Sequence, residues 1–411
     1  MTGQPEHVVI VGAGLGGLRT AQQLRSAGLQ GRISIVGAET HLPYDRPPLS
    51  KQVLTGEWEP ERTALAGTDT FEELGVRAHL GNPAVALRPG HRDHELELAD
   101  GAALHADAVV VATGLVAREL PGQPAQVHTL RTLDDALALR GALDSARTLL
   151  VVGAGFIGAE VASSARTRGT AVTAVEALEA PSVRALGPRL GPLAARLITE
   201  SGVELHTGAT ITRFVESPDS ADGVEVELAD GRRLAADVAV VGIGGVPRLE
   251  WLADTGLDTA RGIACGPTGR VHGLDGVWAV GDVAAWDDPV SGARHRHEHW
   301  TSAGDQAAVV ARDVLGAPPP PATVPYCWSD QFGLKIQIIG RPELAEDVVA
   351  LHGAGLDNGG PVRGTVVGYV AGDRLVAVAG FGAARYVARY RPLVGAGAPL
   401  GEVRATAEAL G

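Results

Sequence analysis

The stretch "VVIVGAGLGGLRTAQQLRSAG" at residues 8–28 returns, without gaps and 141 positions later, as "LLVVGAGFIGAEVASSARTRG" at residues 149–169. Each copy opens on a short apolar run rich in β-branched residues and passes through a glycine-rich turn. Each then continues with apolar residues at helical spacing as far as a closing glycine. That order predicts strand, turn and helix. Gly12, Gly14 and Gly17 form a GxGxxG in the first turn, and Gly153, Gly155 and Gly158 form one in the second. The first glycine of such a turn permits the tight bend, the second lets the backbone approach a pyrophosphate, and the third lets helix pack on strand. The N–H groups at the helix start then face the anion. An acid follows each turn. "RISIVGAE" (32–39) reads as a second strand with Glu39 at its end, and "AVTAVEA" (171–177) carries Glu176, 23 residues after Gly153. An acid at that place accepts from a free ribose hydroxyl and repels a 2′-phosphate, so the second turn favours NADH over NADPH. The repeat predicts two dinucleotide-binding folds in one chain.

Further strands fit the same plan. "HADAVVVATG" (105–114) and "LAADVAVVGIGG" (234–245) are short buried runs that follow a DG turn and occupy equivalent places in the two halves. "GLDGVWAVGDVA" (273–284) is another buried run, ending in Gly-Asp. "GAPPPPATVPY" (316–326) is a break, because consecutive prolines continue neither a helix nor a ladder. Beyond it, "LKIQIIG" and "GTVVGYVAGDRLVAVAGFG" alternate apolar and polar residues as antiparallel strands do. The fold class expected is α/β: two Rossmann-like domains followed by a C-terminal α+β domain. The expected boundaries are residues 1–116 with 247–319, then 117–246, then 320–411.

Composition narrows the function. A chain of 411 residues with 45% apolar and 20% charged residues is long enough for several cores. Its net charge of −13 argues against nucleic acid, whose phosphates need a basic surface. The two cysteines, Cys265 and Cys327, form no CxxC pair and read as small buried hydrophobes. There is no basic n-region at the start and no window approaching 18 apolar residues, so the expectation is a soluble cytoplasmic protein outside the membrane. "HRHEH" (295–299) lacks the HxxxH spacing of a helical metal pair and reads as a loop.

Two dinucleotide folds with "WAVGD" (278–282) after the second resemble the two-dinucleotide-binding-domain flavoprotein reductases. That resemblance implies FAD on the first fold, NADH on the second, a glutathione-reductase-like architecture, and Asp282 at the ribityl chain. "VVVATG" (109–114) matches a further motif of the flavin domain. Members that work through thiols place cysteines beside the flavin, yet "ETHLPYDRPPLSK" (39–51) has none. Direct electron transfer from the flavin remains.

The stretches "YDRPPLSK" (44–51), "GAGFIGAE" (153–160), "LRTLDDA" (130–136), "EHWTSAGDQ" (298–306) and "PYCWSDQFGLKIQIIG" (325–340) together resemble the ferredoxin reductases of oxygenase and haem-thiolate monooxygenase systems, over nearly the whole chain. The resemblance implies hydride transfer from NADH to the flavin, then single electrons to an iron–sulfur ferredoxin, in a monomer or weak homodimer. It places Arg46, Lys51, Ala84, Arg131, Asp282 and Trp300 at FAD beside the first turn. It places Phe156, Ile157, Glu160, Arg184 and Gly244 at NADH beside the second, with Trp328 lining the nicotinamide side. Lys51 would pair with Glu160, and the family usually has Phe where Cys327 stands.

Lysine is rare here: Lys51 and Lys335 are the only two among 35 basic residues. A compact ammonium can stand against a flat ring where an Arg fork does not fit. Plainer readings stay open. Glu160 also suits a helix first turn, Trp328 and Trp300 suit a core, and Lys335 suits an outward strand position. Arg385, Arg389 and Arg391 lie in a tail of eight basic and eight acidic residues (322–411), either as a rim for an acidic ferredoxin or as a solvated helix face. Two rival functions also stand: an NADH:quinone or diaphorase-type reductase, and a redox-sensing flavoprotein like the apoptosis-inducing-factor relatives.

Overall fold

The computed structural model describes residues 4–91, 93–215, 223–289, 291–356 and 359–411. The chain groups into two compact units, Met1–Asp45 with Glu61–Val116 and Val246–Thr323, and Arg46–Pro60 with Ala117–Gly245 and Val324–Gly411.

In the first unit the leading copy of the repeat folds as the strand His7–Val11 and the helix Leu15–Ser26. Val8, Val9, Ile10 and Val11 are all buried, as expected of a parallel strand covered on both faces. This strand is central in a parallel sheet whose order is Val277–Ala279, Ala108–Val111, His7–Val11, Arg32–Val36, Val76–His79. An antiparallel meander of Ala84–Arg88, His94–Leu98 and Ala103–Ala106 joins it in the unit, with His94, Leu96 and Leu98 facing inward.

The second unit repeats the plan with the strand Thr148–Val152 and the helix Phe156–Thr167. Its parallel sheet runs Glu204–His206, Ala171–Val175, Thr148–Val152, Val238–Val241, His128–Thr129, and Ile211–Val215, Val224–Leu228 and Arg233–Ala236 form the matching meander. The likeness reaches individual hydrogen bonds. Asp107 Oδ2 accepts from the N–H groups of Glu6 and His7 at 2.9 and 2.8 Å, and Asp237 Oδ2 accepts from those of Arg147 and Thr148 at 2.8 and 3.0 Å. In each half an aspartate just before one strand pins the start of the central one. These donors, those of Arg147 and then Thr148 foremost, lower the pKa of Asp237.

The tail of the second unit forms a five-stranded antiparallel sheet ordered Tyr326–Gln331, Leu334–Gly340, Arg374–Phe381, Val366–Ala371, Asp347–His352. Helices Ala384–Ala396 and Leu400–Leu410 follow it. The alternation in "LKIQIIG" is real: Leu334, Ile336 and Ile338 are buried and Lys335 is exposed. Among the described residues no helix is long and apolar enough to cross a membrane.

His94 is fully buried, and neither of its ring nitrogens has a hydrogen-bond partner among the described residues. Burial therefore lowers its pKa from the ordinary value of 6.5. The folded state holds the neutral ring while the unfolded chain protonates near the ordinary value. Stability is thus full above that value and falls as pH drops below it toward the lowered one, by up to about 1.4 kcal/mol per pH unit. Burial depresses His7, His79, His128 and His352 in the same direction. His94→Leu is expected to unfold at or above the wild-type midpoint at pH 7.5 and to lose less between pH 6.5 and 5, followed by thermal melts. An unchanged pH slope would contradict this.

Candidate functional site

The two glycine-rich turns share one geometry. A Cβ added at Gly12 would sit 2.2 Å from Ala112 O, and one at Gly17 would sit 1.9 Å from Gly12 O; the counterparts, Gly153 to Gly242 O and Gly158 to Gly153 O, are 2.5 and 1.9 Å. The protein's own backbone dictates those four glycines. Gly14 and Gly155 are different, because a Cβ on either meets nothing within 4 Å. Each is the N-cap of its helix, without a side-chain cap, and neither helix has an acid in its first turn. Room is therefore left beside the N-cap glycine at both helix starts, and neither helix places an acid of its own among those amide donors, as a pyrophosphate requires. Both turns fit a dinucleotide on this test.

Each acid is placed by a neighbour. Glu39 Oε2 accepts from Tyr44 OH at 2.5 Å. Glu176 accepts from the N–H of Ala154 at 2.8 Å and of Leu178 at 2.9 Å, so it ties its strand to the second turn. Ser182 adds a second tie, with a left-handed backbone (φ 57°) and its N–H on Ala154 O at 3.2 Å. This opens the short helix Val183–Leu186 and brings Arg184 to Gly244, where an added Cβ would lie 3.7 Å from Arg184 Nη1. Phe156 and Ile157 begin the helix after the second turn, and Ile157 is exposed.

Lys51 owes its position to two prolines. Pro47 and Pro48 donate no backbone hydrogen bond, and Leu49–Val53 makes one π-helical turn, with Val53 N–H reaching Pro48 O at 3.0 Å. The carbonyl of Pro47 takes Lys51 Nζ at 3.0 Å. The same ammonium lies 2.7 Å from Glu160 Oε2. Glu160 is only 2% exposed, a depth at which an unmatched carboxylate would cost several kcal/mol. Ser50 Oγ also donates to Oε2, and Ser329 Oγ donates to Oε1, both at 2.6 Å. Of the three donors of the ammonium, two are thus engaged, and the third has no acceptor among the described residues. A planar guanidinium would bring five donors to this place and leave more of them unmatched. Glu160 is the fifth residue of its helix, past the first turn, so these partners hold it rather than the helix dipole.

The remaining candidates are held by local hydrogen bonds. Arg46 Nη1 donates to the carbonyl of Arg131. "LRTLDDA" is a helix entry: Thr132 caps Leu133–Leu143, and Asp135 closes a capping box and accepts from Arg131 N–H at 2.8 Å. In the first unit, Trp300 opens the helix Trp300–Val314 and donates from Nε1 to Asp45 Oδ1 at 2.7 Å. Asp282 lies in the turn Gly281–Val283, where Gly281 N–H meets Gln306 Oε1 at 2.7 Å. Ala84 opens the meander.

Trp328 is stacked on Tyr326, with centroids 5.7 Å apart and planes at 19°. Lys335 Nζ stands 5.6 Å from the Trp328 ring, and the Arg391 guanidinium 5.7 Å from the Tyr326 ring. Lys335 is half-exposed, as its alternation suggests, but it also pairs with Asp330 at 3.1 Å. Sequence reasoning missed Ser50, Ser163, Ser164, Ser329 and Gln331. One signal was available: Glu160, Ser163 and Ser164 stand at i, i+3 and i+4, a polar stripe on a helix whose first eight residues are otherwise apolar or glycine. Ser164 Oγ donates to Ser50 O at 2.6 Å, and Phe332 N–H donates to Ser163 Oγ at 2.7 Å. Burial pushes both thiols, Cys265 and Cys327, up to about 12, so each stays protonated.

Two family models match the chain: pyridine nucleotide-disulphide oxidoreductase over residues 6–307, and reductase C-terminal over residues 326–410. The ferredoxin reductase component of chlorobenzene dioxygenase from Cupriavidus sp. (strain PS12) is 41% identical over 341 residues, covering 82% of this chain and 81% of that protein. Putidaredoxin reductase from Pseudomonas putida is 32% identical over 387 residues, covering 91% of this chain and 88% of its own. The crystal structure of a covalent putidaredoxin reductase–putidaredoxin complex matches with a TM-score of 0.90 at 30% identity, over 98% of this chain and 99% of that one.

The glycines separate fold from ligand. Gly17→Ala and Gly158→Ala force a side chain into backbone and are expected to cost more than about 3 kcal/mol in thermal or urea unfolding. Gly14→Ala and Gly155→Ala are expected to melt within about 1 kcal/mol of wild type. Titration should show them binding FAD and NADH, respectively, at least about tenfold more weakly, since a methyl group then occupies the pyrophosphate approach.

Proposed function

The chain belongs to the pyridine nucleotide-disulphide oxidoreductase family and carries a reductase C-terminal domain, and from that premise we propose that it is an NADH-dependent ferredoxin reductase. Its FAD would feed an iron–sulfur ferredoxin that serves a ring-hydroxylating dioxygenase or a haem-thiolate monooxygenase. The observation that carries this reading is the Lys51–Glu160 pair in a chain whose two thiols stay protonated, Cys265 buried and Cys327 half-buried. A thiol relay is thereby disfavoured, and a cation reserved for developing negative charge is supplied.

Bound FAD supplies the chemistry that joins a two-electron hydride donor to a one-electron iron–sulfur acceptor. We assign it to residues 1–116 and 247–319, NADH to 117–246, and the α+β domain to 320–411. Gly12, Gly14 and Gly17 would cradle the pyrophosphate of FAD, Glu39 its ribose, and Asp282 its ribityl chain. Arg46, Ala84, Arg131 and Trp300 would complete its contacts. Gly153, Gly155 and Gly158 would take the NADH pyrophosphate with Arg184 and Gly244 nearby, Phe156 and Ile157 would border it, and Glu176 would accept from the ribose. Lys51 would offer its third N–H where negative charge develops, Glu160 would keep that ammonium in place, and Trp328 would shield the nicotinamide from water. A cytoplasmic site of action suits the unpaired cysteines.

Lys51→Ala is expected to retain FAD but to slow its reduction by NADH about a hundredfold in anaerobic stopped flow. Equal rates would remove Lys51 from the reaction. Arg385, Arg389 and Arg391 are all exposed on the helix Ala384–Ala396, which suits an acidic ferredoxin. Ferredoxin-coupled cytochrome reduction should therefore fall steeply between about 50 and 500 mM salt while reduction of the flavin by NADH changes little. A salt-insensitive coupled rate would count against electrostatic docking.

A further inference from the structure

The two oxygens of Glu160 are held from different parts of the chain. Oε2 accepts from Lys51 and Ser50, and Oε1 accepts from Ser329, 169 residues further along. The direction of the Ser329 hydrogen bond is set. Gln331 Nε2 donates to Ser329 Oγ at 2.9 Å, so the single hydroxyl proton goes to Glu160. Ser329 and Gln331 are 0% and 2% exposed, so bulk solvent does not reach either partner.

The strand that carries them is locked at its turn. Phe332 and Gly333 join Tyr326–Gln331 to Leu334–Gly340 with φ of 49° and 70°. A bulky side chain rarely accepts that left-handed backbone, where Asn would be relaxed. The strain is retained where Phe332 N–H meets Ser163 Oγ, on the Glu160 helix and one turn beyond that residue. Gln331 thus donates to Ser329 and Ser329 to Glu160 Oε1, while the Lys51 ammonium donates to Oε2 of the same carboxylate from the other side.

We propose that Ser329, oriented by Gln331, is a positioning residue for the reductase reaction: its hydroxyl fixes the rotation of the Glu160 carboxylate, so that Oε2 holds the Lys51 ammonium in one place. Without that donor, Oε1 is a buried anionic oxygen lacking its partner, and the carboxylate turns to share Lys51 between its oxygens. The ammonium follows. The proposal rests on the reading that NADH reduces FAD with the help of Lys51.

Because the chain holds two lysines, 15Nζ-lysine labelling of the FAD-loaded protein gives two ammonium signals, and Lys335→Arg identifies that of Lys51. Wild type is expected to show a Lys51 ammonium protected from solvent exchange. Ser329→Ala should broaden or abolish that signal and slow flavin reduction by NADH about tenfold with FAD retained, while Ser329→Thr restores both. Gln331→Met, which keeps the hydroxyl but frees its direction, should shift both readouts the same way, by about threefold in rate. A Ser329→Ala protein with an unmoved signal and a rate within about twofold of wild type overturns the proposal. So does a Ser329→Thr protein as impaired as the alanine variant, because packing rather than the hydroxyl would then matter. If Ser329→Ala does not fold, an unchanged Gln331→Met protein is equally decisive. A wild type that NADH does not reduce overturns the reductase reading and this proposal together, whereas a reducible wild type with an unmoved variant overturns this proposal alone.

Discussion

A carboxylate buried as deeply as Glu160 must find its charge partners inside the protein, because removing one side of a buried pair costs several kcal/mol. That requirement explains features of the second unit that otherwise look unrelated. The π turn after two prolines leaves a carbonyl for the Lys51 ammonium and aims it at Glu160. The serine stripe on the Glu160 helix holds the backbone of Ser50 on one side and the hairpin turn at Phe332 on the other. The strained backbone of Phe332 is retained where it keeps Ser329 within reach of the second oxygen. Stability and, in the proposed reaction, chemistry draw on the same few contacts.

The duplicated plan shows which glycines of the two turns the fold itself dictates and which it leaves facing open space. In both halves the outer glycines of the turn are dictated by backbone that would collide with a Cβ, while the middle one faces open space. In both halves an aspartate pins the start of the central strand. The halves diverge beyond the turn. The first helix has Gly16, Gly17, Leu18 and Arg19 where the second has Ile157, Gly158, Ala159 and Glu160, so only the second carries the buried acid.

The glycine turns were legible in the sequence because a positive φ or a close backbone approach leaves few residue choices, and that restriction is local. The acids at Glu39 and Glu176 were legible because strand length sets their distance from the turn. Lys51 stood out against a background of arginine, and its pairing with Glu160 came from resemblance rather than from spacing. The serines were not legible. Ser50 and Ser329 reach Glu160 across 110 and 169 residues, and a serine has no period or composition that announces such a contact. Nor does Phe332 announce a left-handed turn, since propensity alone argues against it. Its conformation is a tertiary outcome, made possible by Ser163.

The central claim is that Lys51 and Glu160 act on NADH oxidation as one unit. A double-mutant cycle on the anaerobic rate of flavin reduction, using Lys51→Ala, Glu160→Gln and the two combined, tests it most directly. Acting as one unit, the combined variant should be no slower than the worse single variant, within about threefold. Losses that multiply, with the combined rate equal to the product of the single effects, would show two independent residues and contradict the account.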